Sequence, residues 1–470
     1  MDPILIVLTG IAVVLFCIIV LRLHAFIALL FAALITGLLT ADIHIYDFAI
    51  GKGMSDAQAR AMSTQLIGKR LSTAFGNTAG KIGILIALAS IIGTALMRSG
   101  GAERIIRSFL NLIGKKRASL AFLSGSFTLA IPVFFDTVFY LMIPLVKSIS
   151  VRDTRKFSLY LMCIIAGGVM AHSLIPPTPG PLFVAQEMGI DLGVMILGGL
   201  VVGAITVICG YFYALWANKK WDLPMRDTPD ISIEELKVIS EKKQEDLPGL
   251  WLSVLPILLP ILLIAGNTLL NVTLADDSPM IKLFSILGDS NIALLLAAVI
   301  AMYLLWTRIK EVEQFKKYMY EALVSAGIII LITSAGGAFG QMLQQTNIGS
   351  RIEGLATSYQ MAILPLAFII TAVVRTAQGS ATVAMVTAIG VMSGFTESAG
   401  LPFHPVYLAL VIGCGSKIFA WMNDSAFWII SRMSGMDEKE SIRHFSMLLL
   451  VMGLSGLVAV MILATLFPLV

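Results

Sequence analysis

Charge is scarce in this chain. Of 470 residues, 13% are Asp, Glu, Lys or Arg, about half of what a soluble domain carries, which excludes a globular fold surrounded by water. Cysteine is rarer still. Cys17, Cys163, Cys209 and Cys414 sit singly in apolar stretches, with no paired spacing for a disulfide framework or a thiolate metal site. HExxH, GxSxG and Cys–His clusters are all missing, so the nucleophiles and metal ligands of a membrane enzyme are not found and no cofactor is expected. The formal net charge of +4 comes from separate basic loops and not from one basic face, which excludes a nucleic-acid partner.

Apolar sequence is abundant: 57% of the chain is hydrophobic, in runs long enough to cross about 30 Å of hydrocarbon as helices. Nothing alternates like the strands of a barrel, so the chain reads as an all-α integral membrane protein. Residues 4–21 have no basic segment before them and no small-residue cleavage site after them, and are expected to stay as a span.

The sequence also repeats. Residues 27–35 (IALLFAALI) return as 292–300 (IALLLAAVI), 265 positions later. Gly93, Leu96, Arg104 and Ile105 return as Gly340, Leu343, Arg351 and Ile352, an offset of 247. Thr137 and Val138 match Thr382 and Val383 at 245, and Gly189 and Asp191 match Gly435 and Asp437 at 246. Four matches in one order at nearly constant spacing indicate an internal duplication, the sequence mark of a secondary transporter.

Basic residues concentrate at 98–117, 147–156, 219–243 and 308–317, and the positive-inside rule places these in the cytoplasm. The first two flank 29 apolar residues, 118–146, whereas two full crossings need about 40. This segment is expected to be a re-entrant hairpin, with Lys115 and Arg155 on the same side. Its counterpart at 362–392 lies between loops almost free of Lys and Arg and should enter from outside. Counting spans puts both termini outside and makes the second half upside down relative to the first. The expected organisation is therefore a first inverted repeat at 1–216, with a hairpin at about 118–147 and a broken helix at about 173–188. A cytoplasmic linker at 217–247 follows, with a short amphipathic helix after Asp230. The second repeat, 248–470, has its hairpin at about 362–392 and its broken helix at about 422–434.

Function should lie where polar residues interrupt apolar helices, because the freed backbone groups must be buried or face water. In the first hairpin, PVFFDT from Pro132 brings Asp136 and Thr137 to the tip; in the second, RTAQGSAT brings Arg375, Gln378, Gly379, Ser380 and Thr382. The stretch from His172 through Thr178 to Pro181 contains four prolines and cannot remain helical. Its repeat mate is Met422–Phe427, with Asn423 and Asp424. Single charges at bilayer depth cost about 2.5–3.5 kcal/mol or more, so Asp136, Arg375 and Asp424 are expected to pair and to act. The planar fork of Arg375 matches a carboxylate substrate. Asp136, Asp424 and His172 are the candidate proton carriers. Asp136 is favoured because a hairpin tip can be exposed alternately to the two sides. Lys417, about a turn and a half before Asp424, either pairs with it or meets the substrate. Trp216, Trp221, Trp251 and Trp306 lie near helix ends and read as interfacial anchors.

Three stretches carry a family resemblance: GSAT from Gly379, PPxPGP from Pro176 and NDxxFW from Asn423. Together, in this order, they resemble the gluconate:proton symporter (GntP) family, and the likeness runs nearly end to end. The resemblance implies a fold like the ion-transporter superfamily, with two inverted repeats, each holding a re-entrant hairpin and a broken helix. It implies a multi-pass carrier of the bacterial inner membrane, coupled to protons, moving a small hydroxylated monocarboxylate such as gluconate or a related sugar acid. A homodimer in the lipid bilayer, working by an elevator motion, follows from the same resemblance. On this reading the substrate meets Arg375, Gln378, Gly379, Ser380, Thr382, Thr137, Thr178 and Asn423. Sodium coupling, with a different organic acid or a D-amino acid such as D-serine, is the alternative, since Ser380, Thr382 and unwound carbonyls could ligate a cation. The chain departs from the family's pattern at Thr178 and Trp421, where histidines are common, and at Lys417, where a small or apolar residue is usual. An aromatic and a cation beside the site suit a shorter or more acidic molecule than gluconate.

Overall fold

The structure, a computed structural model, describes residues 2–151, 153–226, 247–273, 279–347, 360–398, 401–422 and 424–469. The amphipathic segment after Asp230, the repeat residues Arg351 and Ile352, and Asn423 lie outside these residues.

The described residues are helical, with no strand among them. Helix α1 (Pro3–Ile19) is followed by α2 (Ala25–Leu39), α3 (Asp42–Gly51), α4 (Asp56–Ser63), α5 (Ile67–Ser99) and α6 (Gly101–Ile113). A helix pair, α7 (Ala118–Leu129) and α8 (Phe135–Ser150), precedes α9 (Phe157–Leu174), α10 (Pro179–Glu187) and α11 (Leu192–Lys220). Beyond the linker come α12 (Leu250–Thr273), α13 (Pro279–Leu287), α14 (Ser290–Ile309) and α15 (Val312–Gln344). A second pair, α16 (Ile363–Gln378) and α17 (Ala381–Ser398), precedes α18 (Val406–Gly415) and α19 (Ser425–Ser434). Last is α20 (Met447–Leu466), entered through a turn at Glu438–Ser441 and a π-helical stretch at Ile442–Ser446. Among the described residues, seven helical stretches are long and apolar enough to cross a membrane, eight if the pair α2–α3, bent by 99°, counts as one.

The order of elements recurs. Helices α5 and α15 each have 33 residues and start 245 positions apart. The stretches Leu192–Lys220 and Glu438–Leu466 each have 29 residues and start 246 apart. Between them, in each half, stand one pair of shorter helices, of 12 and 16 residues in the first half and 16 and 18 in the second, and one interrupted helix.

A helix that is apolar all round belongs in the interior. Accordingly α9 is buried along its length except at His172, and every residue of α18 is buried. These two short helices form the centre, whereas Leu255, Leu262, Leu295 and Val299 on α12 and α14 are exposed on the periphery, as a hydrocarbon solvent allows. Trp216, Trp251 and Trp306 are also exposed there. Small residues bring backbones into contact. A Cβ on Gly199 would lie 2.3 Å from the Leu174 carbonyl oxygen, and one on Gly413 would lie 2.7 Å from that of Ser173. Helices α11 and α18 therefore rest directly on the end of α9. Where α15 crosses α17, a Cβ on Gly340 would be 3.1 Å from the Gly390 Cα.

Candidate functional site

Each interruption ends one helix and begins another for a local reason. Pro132 lies in the turn after α7, and α8 restarts behind Phe134, with Asp136 in its first turn, where a carboxylate complements the helix dipole. Helix α16 stops because Gly379 adopts the left-handed conformation (φ 76°), its N–H donating to the Arg375 carbonyl at 2.9 Å. Ser380 then opens α17, its Oγ accepting the Val383 N–H at 3.4 Å. Asp424 is the N-cap of α19, its Oδ1 accepting the Ala426 N–H at 2.8 Å.

These starts meet around one cavity of about 190 Å³. Asp136 from α8, Ser380 and Thr382 from α17, and Ser425 and Ala426 from α19 line it, so three helix N-termini face the same space. Partial positive charge at such ends favours an anion. Arg375, Gly379, His172, Lys417 and Asp424 complete the polar lining.

Arg375, Asp424 and Lys417 are almost wholly buried, at 3%, 4% and 5% exposure. Arg375 Nη2 donates to Asp424 Oδ2 in an ion pair. The remaining nitrogens of that guanidinium, Nε and Nη1, are buried without a partner among the described residues. A planar cation with two unfilled donors, beside three helix starts, is arranged to receive a carboxylate. His172 packs edge-on against Phe134, ring centroids 5.8 Å apart, and its Nδ1 is unpartnered.

Of the expected residues, Asp136, His172, Arg375, Gly379, Ser380, Thr382 and Asp424 are brought together here. Three others lie elsewhere. Thr137 faces a second cavity of about 380 Å³, bounded by α5 and α15 and lined also by Arg98 and Glu321, an ion pair at 2.9 Å. Thr178 is buried and closes its hydroxyl on the Ile175 carbonyl at 2.6 Å, serving the broken helix. Gln378 lines an apolar groove on the far side of the α16–α17 turn, with Trp421, whose Nε1 donates to the Thr376 carbonyl at 3.1 Å. Asn423 lies outside the described residues.

The apolar walls were not singled out by the sequence: Phe134, Phe135, Val169, Phe445 and Leu449. Phe134 also lines the second cavity and is shared between the two chambers. Among the described residues, no group of three or more His, Cys, Asp or Glu side chains could hold a metal ion.

Residues 2–466 match the family described as GntP family permease. A protein of Haemophilus influenzae described as an uncharacterized permease is 33% identical over 448 residues, covering 93% of this chain and 86% of its own. The gluconate permease of Pseudomonas aeruginosa is 29% identical over 446 residues, with 94% and 93% covered. A high-affinity gluconate transporter of Escherichia coli is 28% identical over 463 residues, with 98% and 99% covered. The crystal structure of the YdaH transporter of Alcanivorax borkumensis has a similar fold, with a TM-score of 0.55 and 13% identity over 84% of this chain and 88% of that one.

Proposed function

Because the chain belongs to the GntP permease family, and so is a multi-pass inner-membrane permease and not an enzyme, we propose that it is a secondary active transporter carrying a small hydroxylated monocarboxylate, gluconate or a related sugar acid, together with protons. The observation that carries this reading is the guanidinium of Arg375, buried and with two free donors, in a cavity that also holds the carboxylate of Asp136. Arg375 receives the substrate carboxylate, and the starts of α17 and α19 contribute further N–H and hydroxyl donors. Gly379, Ser380 and Thr382 face the hydroxylated body of the acid. Asp136 carries the proton, with Asp424 and His172 next in line. Thr178, which lies off this cavity with Thr137 and Gln378, supports the broken helix beside it.

The recurring order of elements supports two inverted repeats, 1–216 and 248–470, joined by 217–247. The α7–α8 and α16–α17 pairs, of 12 and 16 and of 16 and 18 residues, support re-entrant hairpins, since two full crossings need about 40 residues. The working unit is a homodimer by the same family resemblance.

The test is uptake of labelled gluconate, related sugar acids, hydroxy acids and D-serine into vesicles holding the purified protein, with an imposed proton gradient and sodium absent. Gradient-dependent accumulation of a sugar acid is the expected result. Accumulation that requires sodium and ignores the proton gradient would replace this reading with the sodium-coupled one.

A further inference from the structure

Lys417 has no task in that scheme, yet it is among the most constrained side chains of the site. It follows α18, is 5% exposed and lines the same cavity as Asp136, Arg375 and Asp424. Its ammonium makes no hydrogen bond, and no ion pair within 4.0 Å, with any described residue. The ionisable groups that act on it are Arg375 from α16, Asp424 ahead of α19, Asp136 from α8 and the Cys414 thiol from α18, while His172 of α9 shares the cavity wall.

Asp424 also acts on Lys417, but its charge is shared with Arg375, with which it forms the ion pair of the cavity. Oδ2 takes the Arg375 donor and Oδ1 takes the Ala426 N–H. The Asp136 carboxylate makes no hydrogen bond to a described residue, so Lys417 and Asp136 are the two cavity charges without an ion-pair partner among the described residues. Counted with the Arg375–Asp424 pair, two cations and two anions leave the empty site neutral. Buried charge is stable only when balanced. A monocarboxylate entering this space adds one negative charge, and one proton on Asp136 restores neutrality.

We infer that Lys417 is the counter-cation for which Asp136 and the substrate carboxylate compete, so that substrate binding drives protonation of Asp136. In the empty carrier the ammonium balances the Asp136 carboxylate. In the loaded carrier it faces the substrate anion, and Asp136 holds a proton taken from the water on the side the cavity faces. Release of the substrate on the other side returns Lys417 to Asp136, and the proton leaves. The inference rests on the proposed function, since it takes Asp136 as the proton carrier, and makes Lys417 a positioning residue for that step.

The experiment measures protons taken up per gluconate bound by purified protein in weakly buffered detergent, with calorimetry in two buffers of different ionisation enthalpy. The wild type is expected to take up about one proton per gluconate, the amount that keeps the cavity neutral. Asp136→Asn should bind without uptake; if it still takes up a proton, the reading of Asp136 fails. Lys417→Met should bind at least about tenfold more weakly, with uptake falling toward zero because Asp136 is already protonated in the empty site. Lys417→Arg keeps the charge and should keep the uptake. Wild-type uptake in Lys417→Met, with Asp136→Asn showing none, overturns the role of Lys417 alone. Should Lys417→Met not fold, Lys417→Gln takes its place, and wild-type proton uptake in that variant overturns the inference. Absence of gluconate binding by the wild type overturns the proposed substrate and this inference with it.

Discussion

Arg375 gives one nitrogen of its guanidinium to Asp424 and keeps two unfilled, although the whole side chain is 3% exposed. The pair fixes the orientation of the guanidinium, and Arg375 lines the cavity with Nε and Nη1 buried and unfilled among the described residues.

Replacing Arg375 by Lys keeps the charge but removes the second donor. Arg375→Lys is expected to weaken half-saturating substrate concentration by at least about tenfold, with protein still present in the membrane. Normal transport by Arg375→Ala would remove Arg375 from the site. Loss of activity that tracks loss of folded protein would make the Asp424 pairing purely structural.

Asp424 and Asp136 line one cavity but are held differently: Asp424 is paired and caps α19, whereas Asp136 makes no hydrogen bond to a described residue. Removing one partner of a buried pair costs about 3–5 kcal/mol. Asp424→Ala is therefore expected to lower the thermal midpoint in detergent much more than Asp136→Ala. Equal shifts would mean that Asp424 contributes no more to the fold than Asp136.

Coupling separates from exchange. Asp136→Asn is expected to keep exchange of substrate across the membrane, which needs no net proton movement, and to lose accumulation driven by a pH gradient. If Asp136→Asn still concentrates substrate with unchanged pH dependence, the proton travels elsewhere, and Asp424 and His172, both lining the cavity, are tested next.

Lys115 and Arg155 are separated by α7 and α8, of 12 and 16 residues. Single cysteines at these two positions, in a background lacking Cys17, Cys163, Cys209 and Cys414, should react with an impermeant reagent from the same side. Labelling from opposite sides would make the α7–α8 pair a crossing and not a hairpin.

Glycine contacts give a stability test independent of transport. Gly199→Ala would place a Cβ 2.3 Å from the Leu174 carbonyl oxygen, and overpacking of this kind costs about 1–3 kcal/mol. Gly76, inside α5, has open space around its Cβ position, and Gly76→Ala should be neutral or stabilise by about 0.5–1 kcal/mol. Thermal midpoints of the two variants in one detergent make the comparison; a Gly199→Ala midpoint at or above that of the wild type would remove the close contact with α9.

Much of the site was legible because charge and helix-breaking residues stand out against an apolar background. Arg375, Asp136 and Asp424 are conspicuous for that reason alone, and the structure lines one cavity with all three. Phe134, Phe445 and Leu449 had no such contrast, being apolar residues in an apolar chain. Adjacent residues on a helix point about 100° apart, so sequence could not tell which of Asp136 and Thr137 would line this cavity. The rotation of α8 decides it, turning Asp136 to one chamber and Thr137 to the other. Gln378 is lost in a similar way, because the left-handed turn at Gly379 leaves it on the outer groove. Thr178 looked like a ligand and instead satisfies the carbonyl of Ile175.

Phe134 lines both polar chambers, and under the proposed proton coupling that would make it an insulator. On one side lie two cations and two carboxylates; on the other lies a cavity about twice as large, with the Arg98–Glu321 pair at its wall. A proton gradient retains its value only if ions cannot short-circuit the carrier while it waits for cargo. A phenylalanine ring presents no hydrogen-bonding partner along which water could conduct a proton, so under the proposed proton coupling Phe134 would act as a barrier at the wall shared by the two chambers. Phe134→Ala would join the chambers, and vesicles bearing it should lose an imposed pH gradient faster than wild-type vesicles with no substrate present.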